Sequence, residues 1–417
     1  MCSARNVRCT MNDARFDRTG ESVLNREIRE FYSPTHLIFG WGAAERTGAE
    51  VKRLGSRRPF VVTDQRVHEA GLTKVPLDSL AAAGVEPVLF ADCEPDPAIE
   101  IVEQALERYL GSDCDVVVVI GGGSPICLGR AVALRATNRQ KNLRAMEGMN
   151  RFDAAPKPTV LVTTTTGSGS EVSPVFIITD SDRMVKMNIG GRGAQATVSI
   201  LDPAMLKSLP AEQVLATGMD AITHSIESFL SNRDSLITDA LAIRSLKVLW
   251  ENIAPAAFSV NSTESRGQML VASIMAVQAS GNARLGLVHA MSDQICAFHH
   301  VSHGMSNALM LPVVMEYNLP VACKKFVELA QVTSDRPTNE AQGPEAFLDA
   351  IDRMYRRLGL PTRLPDAVDP ANFEDWAQRT VENPLYATTI RQPRKSEIVE
   401  LYCRAKSASS RLQGDRE

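Results

Sequence analysis

Four short runs of consecutive apolar residues recur in the first half of the chain. The runs are PFVVTD (59–64), EPVLFAD (86–92), CDVVVVIGG (114–122) and PTVLVTTTT (158–166). All four are rich in β-branched residues, and they lack the polar alternation of a strand that has one face in water. The pattern therefore predicts four strands that are buried on both faces.

The segments between these runs follow a different period. In DPAIEIVEQALERYLGS (96–112), apolar residues recur at the three- and four-residue spacing of a helix. Strands that alternate with helices predict a mostly parallel sheet covered by helices. After SILDPAMLKSLP (199–210) the strand pattern stops, and helical periodicity continues nearly to the C-terminus. We therefore predict an α/β nucleotide-binding domain over residues 31–205 and an all-helical domain over residues 206–417.

The first 30 residues differ in composition from the rest of the chain. They contain six arginines with interspersed acids, and they have no apolar segment like that of a signal peptide. We interpret residues 1–30 as a flexible extension, because they contain too few apolar residues to form a core.

Composition excludes some functions without choosing among the others. The net charge of −4 over 417 residues gives no basic surface for nucleic acid, so no nucleic-acid partner is expected. No apolar run is long enough to cross a membrane, so no membrane partner is expected either. The eight cysteines include no CxxC pair, which favours reduced thiols and a cytoplasmic location.

A glycine-rich turn follows the third predicted strand. Three glycines (121–123) remove side chains where a backbone would approach a ligand, and Ser124 can cap the next helix. A helix N-terminus with exposed N–H groups is a natural pyrophosphate site, although a plain strand–helix turn is the alternative. A second loop, TTTTGSGSEVS (163–173), adds hydroxyls and glycines, which favours a nucleotide. Asp64 ends the first strand, where a carboxylate either binds a ribose hydroxyl or simply forms a turn.

Histidines are concentrated in one short segment. Four of the seven lie in GLVHAMSDQICAFHHVSHG (286–304): His289, His299, His300 and His303. Upstream, Asp220 and His224 are four residues apart in a helical pattern and therefore project from one face. Together with His289 and His303 they would form an Asp/His/His/His set that suits Fe²⁺ or Zn²⁺. Each histidine could instead be a surface residue or a hydrogen-bonded core residue.

Five motifs occur in an order and spacing that resemble a known family. They are GGGSP, TTTTGSGSEV, ILDPAMLKSLP, ATGMDAITHSIES and the pair LGLVHA and HGMSNALMLPVVMEYN. From about residue 31 to the C-terminus the chain resembles the iron-containing (group III) alcohol dehydrogenases. The resemblance implies a Rossmann-like NAD(P) domain followed by an all-helical metal-binding domain, a dehydroquinate synthase-like architecture with the metal in the cleft between the domains. It also implies a homodimer or larger homo-oligomer.

The resemblance assigns roles residue by residue. The metal ligands would be Asp220, His224, His289 and His303. The cofactor-binding residues would be Asp64, Gly121, Gly122, Gly123, Ser124, Cys127, Thr164, Thr165, Ser168 and Lys186. The residues nearest to proton transfer or to the substrate would be His299, His300 and Asp293.

Five positions depart from the family pattern. Cys127 replaces an aspartate near the nicotinamide, Arg130 replaces a lysine, and Asp293 replaces a histidine of the substrate site. Ser280 replaces a bulky pocket residue, and Arg284 stands where a small residue is common. These departures leave the substrate open.

The reaction that the resemblance implies is hydride transfer between NAD(P)(H) and a small alcohol or aldehyde, whose oxygen is polarised by the metal. We expect NAD as the cofactor, because a carboxylate at Asp64 would repel the 2′-phosphate of NADP; NADP stays possible. The metal would be Fe²⁺, with Zn²⁺ as the other option. Two alternatives remain, a maleylacetate reductase-like enzyme on the same fold and a degenerate paralogue that only binds a nucleotide.

Overall fold

The computed structural model describes residues 28–166, 168–183, 185–299, 301–333 and 343–407. Nearly all of the predicted N-terminal extension lies outside this range. By their contacts the residues form two compact units. The sheet unit comprises Ser33–Thr217 and Pro255–Val277. The helical unit comprises Gly218–Ala254 and Gln278–Glu417, with the described residues that precede Ser33.

Nine strands occur in the described part of the chain, all of them in the sheet unit. They are β1 (His36–Phe39), β2 (Pro59–Val62), β3 (Val88–Phe90), β4 (Val116–Gly121), β5 (Gly148–Met149), β6 (Thr159–Thr163), β7 (Val175–Asp180), β8 (Val185–Gly190) and β9 (Val198–Leu201). Six of them form a parallel sheet in the order β1-β9-β6-β4-β2-β3. The other three form a small mixed sheet in the order β5-β8-β7.

Fourteen α-helices complete the described fold. They are α1 (Thr47–Arg53), α2 (Gln65–Glu69), α3 (Lys74–Ala82), α4 (Ile99–Gly111), α5 (Gly123–Thr137), α6 (Ala211–Leu230), α7 (Leu236–Phe258), α8 (Thr263–Ala283), α9 (Leu287–His299), α10 (His303–Asn318), α11 (Cys323–Thr333), α12 (Gly343–Leu358), α13 (Phe373–Glu382) and α14 (Lys395–Ser407). None of these helices is both long and apolar enough to cross a membrane.

Strand β4 shows why the apolar runs become central strands. All six of its residues are buried. Val117 and Val119 belong to one hydrophobic cluster, whereas Val116 and Val118 belong to another. Successive side chains of a strand point to opposite faces, so a run of valines buries both faces of the sheet under helices. The four predicted strands occur as β2, β3, β4 and β6, but β3 lies at the edge of the sheet, and its Val88 and Leu89 are only half-buried.

The register of the large sheet brings the two predicted nucleotide loops together. Gly121, the last residue of β4, pairs with Thr163, the last residue of β6. Because the strands are parallel, both loops leave the carboxyl edge of the sheet, where α/β proteins bind their ligands.

The small sheet was not predicted from the sequence. In β8 the exposed Lys186 and Asn188 alternate with the buried Met187 and Ile189, which is the pattern of a strand with one face in water. Such an alternating strand has no continuous apolar run, which is the pattern that marks the central strands in the sequence.

After β9 every regular element in the described residues is helical, which confirms the predicted all-helical region. Residues 255–277 nevertheless pack with the sheet unit. Arg266 donates hydrogen bonds to the carbonyls of Ala256 (3.0 Å) and Leu206 (2.8 Å). A Cβ on Gly267 would lie only 2.8 Å from Pro203, so α8 approaches this segment closely.

Five of the described cysteines are free thiols, as the sequence led us to expect: Cys93, Cys114, Cys127, Cys296 and Cys403. Burial raises the pKa of Cys93 to about 12, so this thiol stays protonated.

Candidate metal and nucleotide sites

The first two predicted metal ligands lie one turn apart on α6. Asp220 and His224 are both buried, and Nδ1 of His224 lies 3.5 Å from Oδ1 of Asp220. The same Nδ1 lies 2.9 Å from the backbone carbonyl of Asp220. If Nδ1 donates to this carbonyl, Nε2 of His224 keeps its lone pair for a metal ion.

Two further helices bring the other predicted ligands to Asp220. His289 lies in the first turn of α9, and His303 is the first residue of α10. Nε2 of each lies 3.6 Å from Oδ1 of Asp220. Ligand atoms of Asp220, His224 and His289 all lie within 4.8 Å of one another. Metal–ligand bonds of about 2.0–2.2 Å place neighbouring donors roughly 3–4 Å apart, so these residues fit one divalent ion.

Burial and mutual contacts shift the pKa values of three residues in the cluster. Burial by itself would raise the pKa of Asp220, but His224 and His303 outweigh it and hold that pKa well below its usual range. Burial lowers the pKa of His224 to about 4, which keeps its imidazole neutral. Burial also opposes protonation of His289, yet the neighbouring carboxylates of Asp220 and Glu227 raise its pKa to about 10. The cluster thus combines a carboxylate with imidazoles, one of which is drawn toward the cationic form.

Two residues of the site were missed from the sequence. Glu227 on α6 contacts His289, and Asn307 on α10 lies among the ligands. Nδ2 of Asn307 lies 2.8 Å from Oδ1 of Asp220 and 3.1 Å from Nε2 of His289. Helix spacing could have found both, since Glu227 follows Asp220 by seven residues and Asn307 follows His303 by four, on the same helix faces.

The first nucleotide loop has glycines for two different reasons. A Cβ on Gly122 would lie 2.6 Å from Cγ2 of Thr165, so contact between the two loops requires glycine there. A Cβ on Gly123 would meet nothing closer than Oγ of Ser170 at 4.0 Å. Protein packing does not require glycine at 123, the first residue of α5. Open space at a helix N-terminus is what a bound phosphate group would need.

The second loop is held against the first. The backbone N–H of Thr164 donates to the carbonyl of Gly121 at 3.1 Å, and Thr165 packs under Gly122. Oγ of Ser168 accepts from the N–H of Ser170 at 3.4 Å. The two loops therefore lie against each other in the sheet unit.

Arg130 donates hydrogen bonds to backbone carbonyls of the second loop. Its guanidinium is buried, and it donates to the carbonyls of Ser170 (3.3 Å), Val175 (3.0 Å), Ser173 (2.9 Å) and Ala194 (2.8 Å). A lysine ammonium could not form this array, because its three donors diverge from a single atom. The departure from the family pattern at this position therefore has a structural role.

Four other predicted cofactor residues have identified protein partners. Oδ1 of Asp64 accepts from the N–H of Val67 at 2.9 Å and caps α2. Sγ of Cys127 accepts from the N–H of Ile177 at 3.5 Å, and burial raises the pKa of this thiol. Nζ of Lys186 lies 3.0 Å from Oδ1 of Asp96. Oγ of Ser124 accepts from the N–H of Asp96 at 3.2 Å, so Ser124 and Lys186 meet at one residue.

The two predicted catalytic residues that the structure describes, His299 and Asp293, contact residues other than the metal ligands. His299 ends α9 and packs edge-on against Trp376, with ring centroids 5.7 Å apart. It follows His289 by ten residues, which is about 15 Å along a helix axis. Asp293 accepts a hydrogen bond from Nδ2 of Asn383 at 2.9 Å. His300 lies outside the described residues. The roles of all three stay predictions.

The two remaining departures lie at the end of α8 and just after it. Ser280 is buried, and its carbonyl accepts from the N–H of Arg284 at 2.7 Å. Arg284 is exposed with φ of 72°, the left-handed conformation that ends many helices. In the described residues Arg284 forms no ion pair with Asp293, whose partner is Asn383.

Comparison with known proteins identifies the family of the chain. The profile of the iron-containing alcohol dehydrogenase family matches residues 34–203, and that of the family's C-terminal domain matches residues 214–406. An NAD-dependent methanol dehydrogenase of Bacillus methanolicus is 32% identical over 370 residues, which are 87% of this chain and 97% of that protein. A 1,3-propanediol dehydrogenase of Citrobacter freundii is 32% identical over 387 residues, which are 92% of this chain and all of that protein.

A solved structure shares the whole architecture. A 1,3-propanediol oxidoreductase crystal structure superposes with a TM-score of 0.87 at 30% identity, and the match covers 91% of this chain and all of that one. Profiles, relatives and structure agree along nearly the full described chain, including the segments that carry the Asp220 cluster and the glycine loop. The chain belongs to the iron-containing alcohol dehydrogenase family.

Proposed function

We propose that the chain transfers a hydride between NAD(H) and a small alcohol or aldehyde. The observation that carries the proposal is the buried cluster of Asp220, His224 and His289, whose ligand atoms lie within 4.8 Å of one another, with His303 beside it. A divalent ion held there, Fe²⁺ or Zn²⁺, would act as a Lewis acid on the substrate oxygen. One carboxylate oxygen and three imidazole nitrogens suit either metal.

The residues of the chain would prepare both substrates. The N-terminus of α5 at Gly123 is open to a pyrophosphate, and its N–H groups would bind the phosphate oxygens. Asp64 would accept hydrogen bonds from a free ribose and repel a 2′-phosphate. His299, His300 and Asp293 stay the predicted residues for proton relay or substrate contact. NAD in the methanol dehydrogenase named above supports this choice of cofactor for that protein and, by similarity, for this one.

The alternatives from the sequence are less well supported. A paralogue that only bound a nucleotide would have no use for four potential metal ligands from three helices. A maleylacetate reductase-like reaction would use the same nucleotide loops, so it would differ mainly in its dependence on metal. Activity on small alcohols and its dependence on metal therefore separate the three functions.

His224→Ala tests the proposed function. Loss of this buried ligand should remove most of the bound metal and lower kcat/KM by at least about 100-fold, since ligand geometry controls both. Metal content and NADH absorbance with a panel of short alcohols and aldehydes measure the two effects. His68→Ala is the control, because His68 contacts Thr73 in the sheet unit and no ligand of the cluster. Full metal content and turnover in His224→Ala would contradict the proposal.

A further inference from the structure

Glu227 is a buried carboxylate on the ligand-bearing face of α6. It follows Asp220 by seven residues and is only 4% exposed. A carboxylate in such a position needs several donors, because burial without them is costly. These donors come from residues 286–289, which are about 60 positions away in the sequence.

The backbone at the start of α9 supplies three donors to Glu227. The N–H groups of Gly286 (3.0 Å) and His289 (3.3 Å) donate to Oε2, and that of Val288 donates to Oε1 at 2.6 Å. These N–H groups belong to the first turn of a helix, where no carbonyl of the helix can pair with them. Gly286, which precedes the helix, has no side chain that could cap it. Glu227 therefore caps α9 from α6 and fixes the position of that helix start.

The fourth donor is the side chain of a predicted metal ligand. Nδ1 of His289 donates to Oε2 of Glu227 at 2.7 Å. The ring is only 3% exposed, and its other nitrogen, Nε2, points toward Oδ1 of Asp220 at 3.6 Å. A carboxylate that retains the proton on Nδ1 leaves Nε2 as the nitrogen that can bind a metal. Such a partner also makes the ligand nitrogen more basic.

We propose that Glu227 is the positioning residue of the metal centre, which sets the tautomer and orientation of His289 and thereby the affinity for the metal. The proposal rests on the proposed function, since it assigns His289 to a bound ion. One carboxylate performs both tasks, because it binds the backbone of α9 and the imidazole that α9 carries. Position and protonation of the ligand are therefore set together.

Glu227→Gln tests this role with little change in volume. If the amide oxygen faces His289, the NH₂ group faces the N–H of Val288, and two donors oppose each other. If the NH₂ group faces His289, the imidazole must accept, and its proton moves to Nε2, the nitrogen needed by the metal. In both orientations the metal-free full-length protein should bind Zn²⁺ or Co²⁺ about 10- to 100-fold more weakly. Calorimetric titration measures the affinity, and the visible spectrum of bound Co²⁺ reports its ligand geometry.

A control variant separates metal positioning from general stability. Lys325 is also buried in the helical unit, where its ammonium donates to the carbonyl of Phe229 on α6 and pairs with Asp234. Lys325→Met should lower the melting temperature yet leave the Zn²⁺ affinity and the Co²⁺ spectrum unchanged. Gly286→Ala provides a second variant, because its Cβ would lie 3.0 Å from Oε1 of Glu227 and displace a carboxylate that keeps its charge. It should weaken metal binding less than Glu227→Gln does.

The outcomes distinguish the two proposals. Wild-type affinity and spectrum in Glu227→Gln, or equal weakening in Lys325→Met, would overturn the role of Glu227 and leave the proposed function intact. A wild-type protein that binds neither Zn²⁺ nor Co²⁺ would contradict the proposed function itself, and the role of Glu227 with it.

Discussion

At the scale of single residues, Asp64 has an observed structural role and a proposed cofactor role, and a substitution can separate the two. Its side chain caps α2 by accepting from the N–H of Val67 at 2.9 Å, which is a structural role independent of any ligand. Its proposed effect on the cofactor depends instead on negative charge near the 2′ position of the ribose. Serine and asparagine are good helix caps and carry no charge.

Asp64→Ser should therefore change the cofactor preference without changing stability. We expect the ratio of kcat/KM for NADH to that for NADPH to fall by about tenfold or more, which corresponds to about 1.4 kcal/mol of lost discrimination. Steady-state kinetics with both cofactors measures this ratio. Asp64→Ala is the matched control, because it loses the charge and the cap together and should cost about 1 kcal/mol of stability. A wild-type enzyme that prefers NADPH would contradict the assignment.

At the scale of elements, α5 begins at the proposed nucleotide site and also supports the neighbouring loop. Arg130 lies two turns into this helix, and its guanidinium binds four carbonyls between residues 170 and 194. The guanidinium also packs on the ring of Phe176, with its central carbon 5.1 Å from the ring centroid. The conformation of the second loop is therefore stabilised by Arg130, a side chain of α5.

Arg130→Lys should loosen the loop and weaken NAD binding. Several buried carbonyls would lose their donors, so we expect a loss of about 1–3 kcal/mol in the free energy of unfolding and a KM for NAD about tenfold higher. Chemical unfolding and initial rates measure the two effects. Arg135→Lys is the control on the same helix, because Arg135 binds Glu103 at 2.9 Å and does not contact the loop. A wild-type KM in Arg130→Lys would refute this role.

At the scale of the whole molecule, the two proposed ligands belong to different units. The metal ligands lie in the helical unit, and the glycine loop and its partner lie in the sheet unit. A ligand stabilises the part of the protein that must unfold to release it, by about 2.7 kcal/mol at a concentration 100 times its Kd.

Hydrogen exchange should therefore respond to the two ligands in different regions. Zn²⁺ alone should slow exchange in α6, α9 and the start of α10, whereas NAD alone should slow exchange in α5 and residues 163–173. His224→Ala with the same Zn²⁺ concentration is the control and should show no protection. Equal protection of both regions by either ligand would mean that the two units unfold as one cooperative body.

The sequence by itself determined the central strands and which of the candidate ligands share a helix face. Short runs of β-branched residues predict β2, β4 and β6, because such runs suit a strand that is buried on both faces. The four-residue spacing of Asp220 and His224 places both on one helix face, whatever the rest of the fold is. These inferences need only the local geometry of a helix or a strand.

Only the tertiary structure decided how the sites are held in place. The bond between Glu227 and His289 joins positions 62 residues apart, and that between Arg130 and Ala194 joins positions 64 residues apart. Asp293 accepts from Asn383 across 90 residues and has no ion pair with the nearby Arg284 in the described chain. Hydrogen bonds of this kind produce no periodic pattern in the sequence. A side chain can bind any backbone or polar group that the fold brings within about 3 Å.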